Sequence, residues 1–205
     1  FLAANAWGVR LDQLWTSMGT TQQFDEGVAE IAAYDAASNR VFVTNGFTDS
    51  LDVYDAATGA LLAPIDVSTY TGSGLSSPNS VAVHDGLVAV AVEDDNNNQN
   101  NGSVLFFDAA TGGFLNEVSA GALPDMVTFT PDGLKVLAAN EGEPDDTYTN
   151  DPEGTITIID VSGGPGSPVV QTVDFIGYNS QQAALQTAGV RLFGPGATVA
   201  QDVEP

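Results

Sequence analysis

The side chains best suited to chemistry in this sequence are carboxylates, and they are grouped. Glu141, Glu143, Asp145, Asp146 and Asp151 share one short stretch, with Pro144 inside it and Pro152 closing it. Each proline fixes its own φ near −65°, so this loop is restrained and its acids are held in place. A second stretch runs from Glu93, Asp94 and Asp95 into a tract of asparagine and glutamine ending at Asn101. Carboxylate and amide oxygens are hard donors of the kind that fill the six to eight positions around Ca²⁺. The chemistry they suggest is coordination of a divalent cation, Ca²⁺ first and another divalent metal second. For any single loop the alternative is an acidic turn that is simply solvated. Neither the helix–loop–helix calcium pattern nor a glycine–aspartate nonapeptide repeat is present.

Other chemistries find little support. The sequence has one histidine, His84, and no cysteine, so zinc sites of the usual nitrogen and sulfur kind are excluded within it. His84 sits beside Asp85-Gly86, a turn signal, which makes it a packing or exposed group. Trp7 and Trp15 read as packing groups, and no glycine-rich phosphate loop occurs. The 27 acidic and 4 basic residues give a net charge of −23. A surface of that sign repels nucleic acid and anionic lipid, and attracts cations. Scarce lysine with abundant Asp, Asn, Thr and Gly suits an exported protein, extracellular, on the cell surface or periplasmic. No apolar run is long enough to span a membrane. With Phe1 at one end and Val203-Glu204-Pro205 at the other, the sequence is expected to be part of a longer one.

What must position the acids is a repeat. Val53-Tyr54-Asp55-Ala56-Ala57-Thr58-Gly59 recurs as Phe106-Phe107-Asp108-Ala109-Ala110-Thr111-Gly112, and again more loosely from Ile158 to Gly164. The period of about 50 residues is that of a propeller blade. Each repeat reads as four strands: 28–34, 40–44, 50–54 and 61–67; then 80–84, 87–92, 103–107 and 114–119; then 126–130, 135–139, 155–159 and 169–175. The second strand of each is almost wholly apolar, as in Leu87 to Val92, which indicates burial on both faces. The expected fold is therefore all-β, a β-propeller of four-stranded antiparallel blades with about three blades present, at 27–68, 76–121 and 122–176. A sandwich or solenoid is the competing reading. Residues 10–18 are expected to form the outer strand of a ring-closing blade. Residues 177–205 are expected to hold a short helix, capped by Ser180 and ended by Gly189, and a lead into a further blade.

In such a blade, the links from strand 1 to 2 and from 3 to 4 lie at one rim, and the links from 2 to 3 and between blades lie at the other. Sorted this way, the first rim holds short turns and the second holds the long acidic loops. Glu30, Asn79, Asp125 and Glu204 start innermost strands and face the channel mouth, as metal or substrate ligands or as partners of backbone amides. Open propeller edges call for a protein partner or self-assembly to cover them.

Val41 to Asn45 and Val136 to Asn140 resemble the Tyr-Val-Thr-Asn strands of bacterial surface propellers. Gly27 to Asp35, Asn79 to Val83, Gly121 to Gly133, Ala139 to Pro144, Asp151 to Gly154 and Phe193 to Asp202 resemble the choice-of-anchor I family. That resemblance implies an exported bacterial protein, much longer than this chain, with a variable carboxy-terminal anchoring signal. Some members are labelled alkaline-phosphatase-like. The label implies a metal-dependent phosphoesterase with Glu30, Asp125, Glu141, Glu143, Asp202 and Glu204 as metal ligands. The leading expectation is an acidic surface or matrix propeller that binds cations and mediates protein interaction or assembly, and the phosphoesterase is the alternative.

Overall fold

One local rule builds each repeat. In the computed structural model, which describes residues 12–17, 27–70, 75–147 and 149–190, an aspartate ends the third strand and closes the next turn. Asp55 Oδ1 accepts from the Thr58 N–H at 2.8 Å and its hydroxyl at 2.7 Å. Asp108 does the same for Thr111, both at 2.7 Å, and Asp160 for Ser162, at 3.0 and 2.5 Å. Gly59, Gly112 and Gly164 then leave the turns at φ of 70°, 72° and 94°, which a Cβ would resist. The residue after each aspartate donates its N–H to the first hairpin of the same repeat. Ala56 reaches Asn39, Ala109 reaches Gly86, and Val161 reaches Leu134. Both turns at that rim are thereby tied together in every repeat.

The result is three four-stranded antiparallel sheets. The first holds β1 (Ala32–Asp35), β2 (Arg40–Asn45), β3 (Ser50–Asp55) and β4 (Ile65–Asp66). The second holds β5 (Leu75–His84), β6 (Leu87–Asp94), β7 (Asn101–Asp108) and β8 (Phe114–Ala122). The third holds β9 (Pro124–Phe129), β10 (Lys135–Asn140), β11 (Thr155–Asp160) and β12 (Val169–Val173). Each sheet is an up-and-down meander in chain order, which is a propeller blade, and the described residues are all-β apart from short helical turns and one α-helix.

The blades pack face to face. Phe42, Leu51 and Val53 of the first meet Val88, Val90, Val92, Leu105 and Phe107 of the second. Ala89, Ala91, Val104 and Phe106 on the other side of the second meet Val127, Val136, Ala138 and Ile159 of the third. Val88 to Val92 and Val104 to Phe107 are entirely buried, so the middle blade is covered on both faces. This is why β6 carries an unbroken apolar run instead of an alternating one.

Several local expectations are corrected. Residues 28–31 are not strand; a bend at Val28-Ala29 precedes β1, and Ile31 is bonded to Thr44 through the Thr44 hydroxyl and backbone instead. The outer strand of the first blade shrinks to Ile65–Asp66 plus a single bridge between Leu61 and Tyr54. Pro64 has no N–H for a ladder. Residues 12–17 show no strand, and Trp7 lies outside the described residues. Asp85 and Gly86 both take positive φ, 45° and 83°, as a two-residue hairpin requires. At Asp132-Gly133 only Gly133 does, because Pro131 sets a wider turn closed by the Gly133 N–H on Thr130 O at 2.8 Å. The α-helix α1 (Gln182–Thr187) has Gln181, not Ser180, at its N-cap, without a side-chain bond. Gly189 does end it, at φ 87°, with Gly189 N on Gln186 O and Val190 N on Leu185 O.

Phe106 is fully buried between two blades. Phe106→Ala is expected to cost about 3–5 kcal/mol of unfolding free energy. Phe114→Ala, at a half-exposed ring on the outer strand, should cost markedly less, and urea unfolding of the two variants measures the difference.

Candidate acidic rim

The register of the inner hairpins aligns the blades. Ala32 faces Val43, Val81 faces Val90, and Val127 faces Ala138. Counting two residues back, Glu30, Asn79 and Asp125 hold the same place in successive blades. At that rim lie the β2–β3 link with Asp49, the β6–β7 link from Asp95 to Asn100, the β8–β9 link, and the β10–β11 link from Glu141 to Gly154.

The acids at this rim sense one another across blade boundaries. Burial pushes Glu93 above its ordinary carboxyl value, and Asp95 and Asp125 add repulsion, against relief from Asn79 and Ser77. Burial likewise raises Glu141, with Asp125 and Glu143 adding to it. Burial raises Asp49, with further repulsion from Asp95 of the next blade and from Asp66. A continuous band of negative charge therefore runs from the first blade through the second to the third.

Amides lace the same band. Asn98 Nδ2 donates to Glu143 Oε2 at 2.9 Å, and Gln99 Nε2 to the Glu143 carbonyl at 3.2 Å, joining the loops of the second and third blades. The asparagine tract is itself folded. Asp94 accepts from Asn96 N at 3.0 Å and Asn100 Nδ2 at 2.9 Å, and Asn97 Oδ1 accepts from Gln99 N at 3.1 Å. Glu93 to Gln99 line an open cleft of about 350 Å³.

The candidate ligands separate under this geometry. Asp125, Glu141 and Glu143 are exposed, and Asp125 and Glu143 both repel Glu141. Glu30 is exposed at the equivalent place in the first blade, and Asp146 and Asp151 are exposed in the long loop. Asp145 is committed to its own loop. Its two oxygens accept from Thr147, Thr149 and Asn150 through five hydrogen bonds of 2.8–3.2 Å, which hold its carboxyl at about 2. Asp202 and Glu204 lie outside the described residues. Glu93, read from the sequence as part of an acidic tract, was not singled out as a ligand; its distinguishing signal is a carboxylate directly following the buried run of β6. Among the described residues no three His, Cys, Asp or Glu side chains stand together as a ready-made metal shell. A cation here would have to draw the loops inward.

The opposite rim is chemically different. Among the described residues the cations are Arg40 and Lys135, both there. Arg40 Nη1 donates to Ala109 O of the next blade at 3.0 Å, and Lys135 Nζ pairs with Asp160 at 2.6 Å. His84 packs its ring on Phe129, 5.7 Å between centroids, with Asp85 at 3.6 Å. No helix among the described residues is long and apolar enough to cross a membrane.

A family model, the choice-of-anchor I domain, matches residues 30–205. No curated protein matches the sequence. Among solved structures, the fold is similar to a hydrazine synthase chain from Kuenenia stuttgartiensis, at 18% identity and a TM-score of 0.53, covering 71% of this chain and 37% of that one. The Pan2 WD40 domain of Neurospora crassa matches at 13% identity and 0.49, covering 72% and 40%. BamB from Moraxella catarrhalis matches at 17% and 0.45, covering 70% and 36%. This chain thus spans well under half the length of each.

Removing one rim charge should stabilise the ion-free protein. With chelator present at neutral pH, Glu93→Gln is expected to raise stability by about 0.5 kcal/mol, or about 1–2 °C in melting temperature. A raised carboxyl costs the fold stability only where it is ionised. The gain should therefore begin to fade as the pH falls into the raised range where folded Glu93 takes up its proton, and should be gone below the ordinary glutamate range, where the unfolded chain is protonated too. Calorimetric melts across that range check both sign and direction.

Proposed function

The chain belongs to the choice-of-anchor I domain family, and from that premise we propose that it is a surface-associated β-propeller whose acidic rim takes up divalent cations and whose open blade faces mediate protein association. The observation that supports cation uptake most directly is the repulsion linking Asp49 to Asp95, Glu93 to Asp125, and Asp125 to Glu141. The two members of each pair sit on different elements, so a divalent cation between them would relieve several unfavourable contacts at once. Oxygen-only donors, carboxylate with amide, favour Ca²⁺ over softer metals. Glu93, Asp125, Glu141 and Glu143 are the first candidates to hold it, with Glu30 in the corresponding place of the first blade.

Association is supported by the outward faces of the first and third blades. Leu137, Ile156 and Ile158 of the third occupy the repeat positions of Phe42, Leu51 and Val53, and of Ala89, Val104 and Phe106. Those counterparts are buried against a neighbour, and the residues of the third blade are not. The phosphoesterase alternative lacks a corresponding observation, since the described cations that could steady a phosphate are engaged at the far rim.

Thermal melts test the cation reading. Millimolar Ca²⁺ is expected to raise the melting temperature over a chelated sample by several degrees, as binding to the folded state alone must. Glu141→Gln should lose most of that gain while melting no lower than wild type in chelator. Identical wild-type curves with and without Ca²⁺ would remove cation uptake from the function.

A further inference from the structure

The three outer strands differ in how they guard their edges. In the first blade the outer strand is only Ile65–Asp66, and Pro64 precedes it. In the second, β8 carries Glu117, its ladder with β7 shifts register twice, and Asn116 Nδ2 donates to Pro165 O of the third blade at 2.9 Å. Short length, proline, charge and bulges all keep an edge from pairing with a foreign strand. β12 has none of them except modest length. Val169-Val170-Gln171-Thr172-Val173 is uncharged, holds no proline, and pairs with β11 in unbroken register. All five residues are exposed, and β12 is the terminal strand of its sheet. One row of its backbone N–H and C=O groups therefore faces away from β11, in reach of another strand.

Charge singles out the same place. Residues 161–190 hold one charged side chain, Asp174, in a chain with 27 acidic residues and a net charge of −23. Two copies repel each other over most approaches, and least through this stretch. The strand also matches itself. In an antiparallel pairing about a two-fold axis at Gln171, Val169 stands opposite Val173 of the second copy and Val170 opposite Thr172, so every flanking pair is β-branched on both sides. Gln171 meets its own counterpart, and two side-chain amides can bond to each other. The same register sets the two Asp174 residues roughly 20 Å apart, beyond the Debye length at physiological salt. Phe175, Ile176 and Tyr178, each about half exposed, follow the strand and extend its apolar surface.

We propose that β12 is a docking edge for a second copy of this chain, joined through an antiparallel β12–β12 ladder centred on Gln171. The self-matching register and the neutral stretch around it favour a copy over a different protein, since a partner chosen by charge would be drawn to the acidic rim instead. A blade packed on Leu137, Ile156 and Ile158 would cover the face of the third sheet and leave this edge outermost. The inference is therefore independent of the open faces and of cation uptake. A five-residue ladder buries less than a standard interface, so the dimer is weak and forms by mass action.

The sequence has no cysteine, so a single introduced thiol reports the register. In Gln171→Cys the two thiols of a dimer stand directly opposite, at a Cα separation of about 4.5–5.5 Å that a disulfide can span. Under mild oxidation this variant is expected to cross-link at least about tenfold faster than Val169→Cys, whose two copies lie roughly 13 Å apart in the same register. Sedimentation equilibrium of the wild type should show reversible dimers with a Kd below about 1 mM. Gln171→Lys should weaken them at least about tenfold, because like charges then meet across the ladder. That substitution makes each copy less negative, so general repulsion would change the result in the opposite direction. A wild type that stays monomeric up to that concentration overturns the proposal. Equal cross-linking at 169 and 171 also overturns it, as the mark of random collision or another register. Dimers that persist unchanged in Gln171→Lys would remove this edge as the interface while leaving association through the open blade faces intact.

Discussion

Burial of the middle blade on both faces is the constraint from which the rest follows. Val88, Val90 and Val92 point one way and Ala89 and Ala91 the other, and all are fully buried. A strand buried on both sides tolerates no polar side chain, and a shift of one residue would exchange the two packed surfaces. The partner strand obeys the same rule from Val104 to Phe107. Polar chemistry is thereby pushed to the strand ends. In the outer blades the rule relaxes. Asn45 pairs with Asp52, and Asn140 donates to Thr155 and Thr157, at strand positions that the middle blade fills with Val92 and Leu105. Asn45, Asp52, Asn140 and Thr157 are buried as well, and the bonds named are made within their own blade.

The two rims use carboxylates in opposite ways. At the short-turn rim, Asp55, Asp108 and Asp132 sit over backbone N–H and hydroxyl donors of their own turns, which hold their carboxyls low, and Asp160 is held low first by the Lys135 ammonium and then by Ser162 of its turn. At the other rim, Asp49, Glu93 and Glu141 face burial and each other, and are pushed up. The difference comes from turn geometry. A tight turn converges several donors on one oxygen, whereas a long loop meeting its neighbour's loop brings acid to acid. Asp94 and Asp145 show the rule by exception, since each sits in the long-loop rim but closes a turn of its own, and each is lowered.

What could be read from the sequence was whatever local chemistry determines. The Asp-Ala-Ala-Thr-Gly repeats, the Asp85-Gly86 hairpin and the Gly189 stop needed only nearby donors and a glycine free to take positive φ. The strand pattern was readable because two-sided burial writes itself as an unbroken apolar run. The outer strands were less so. The first blade's fell to Ile65–Asp66, because an outer strand packs on one side only and its sequence is weakly constrained. At the rim, Asp125, Glu141, Glu143 and Glu93 were all legible as acids on one side, but the burial of Glu93 was not, since its environment is set by groups from other links. Asp145 looked like a ligand for the opposite reason: nothing in a run of acids reveals that one of them is saturated by the threonines following it.

Charge and stability are coupled through the loops. Stacking blades brings their long loops together, and in this sequence those loops are acidic, so the hydrophobic contact that stabilises the array also concentrates the charge that opposes it. Neutral amides moderate the conflict without removing it, as Asn98 and Gln99 do by bridging to Glu143. Arginine or lysine at the rim would remove it, yet the described cations are spent at the far side on Ala109 and Asp160. A fold that needed only stability would put those cations among the acids. With amides alone to moderate it, the band keeps carboxylates of adjacent blades close and repelling, and on the function proposed above a cation bound there would tighten the contacts between blades.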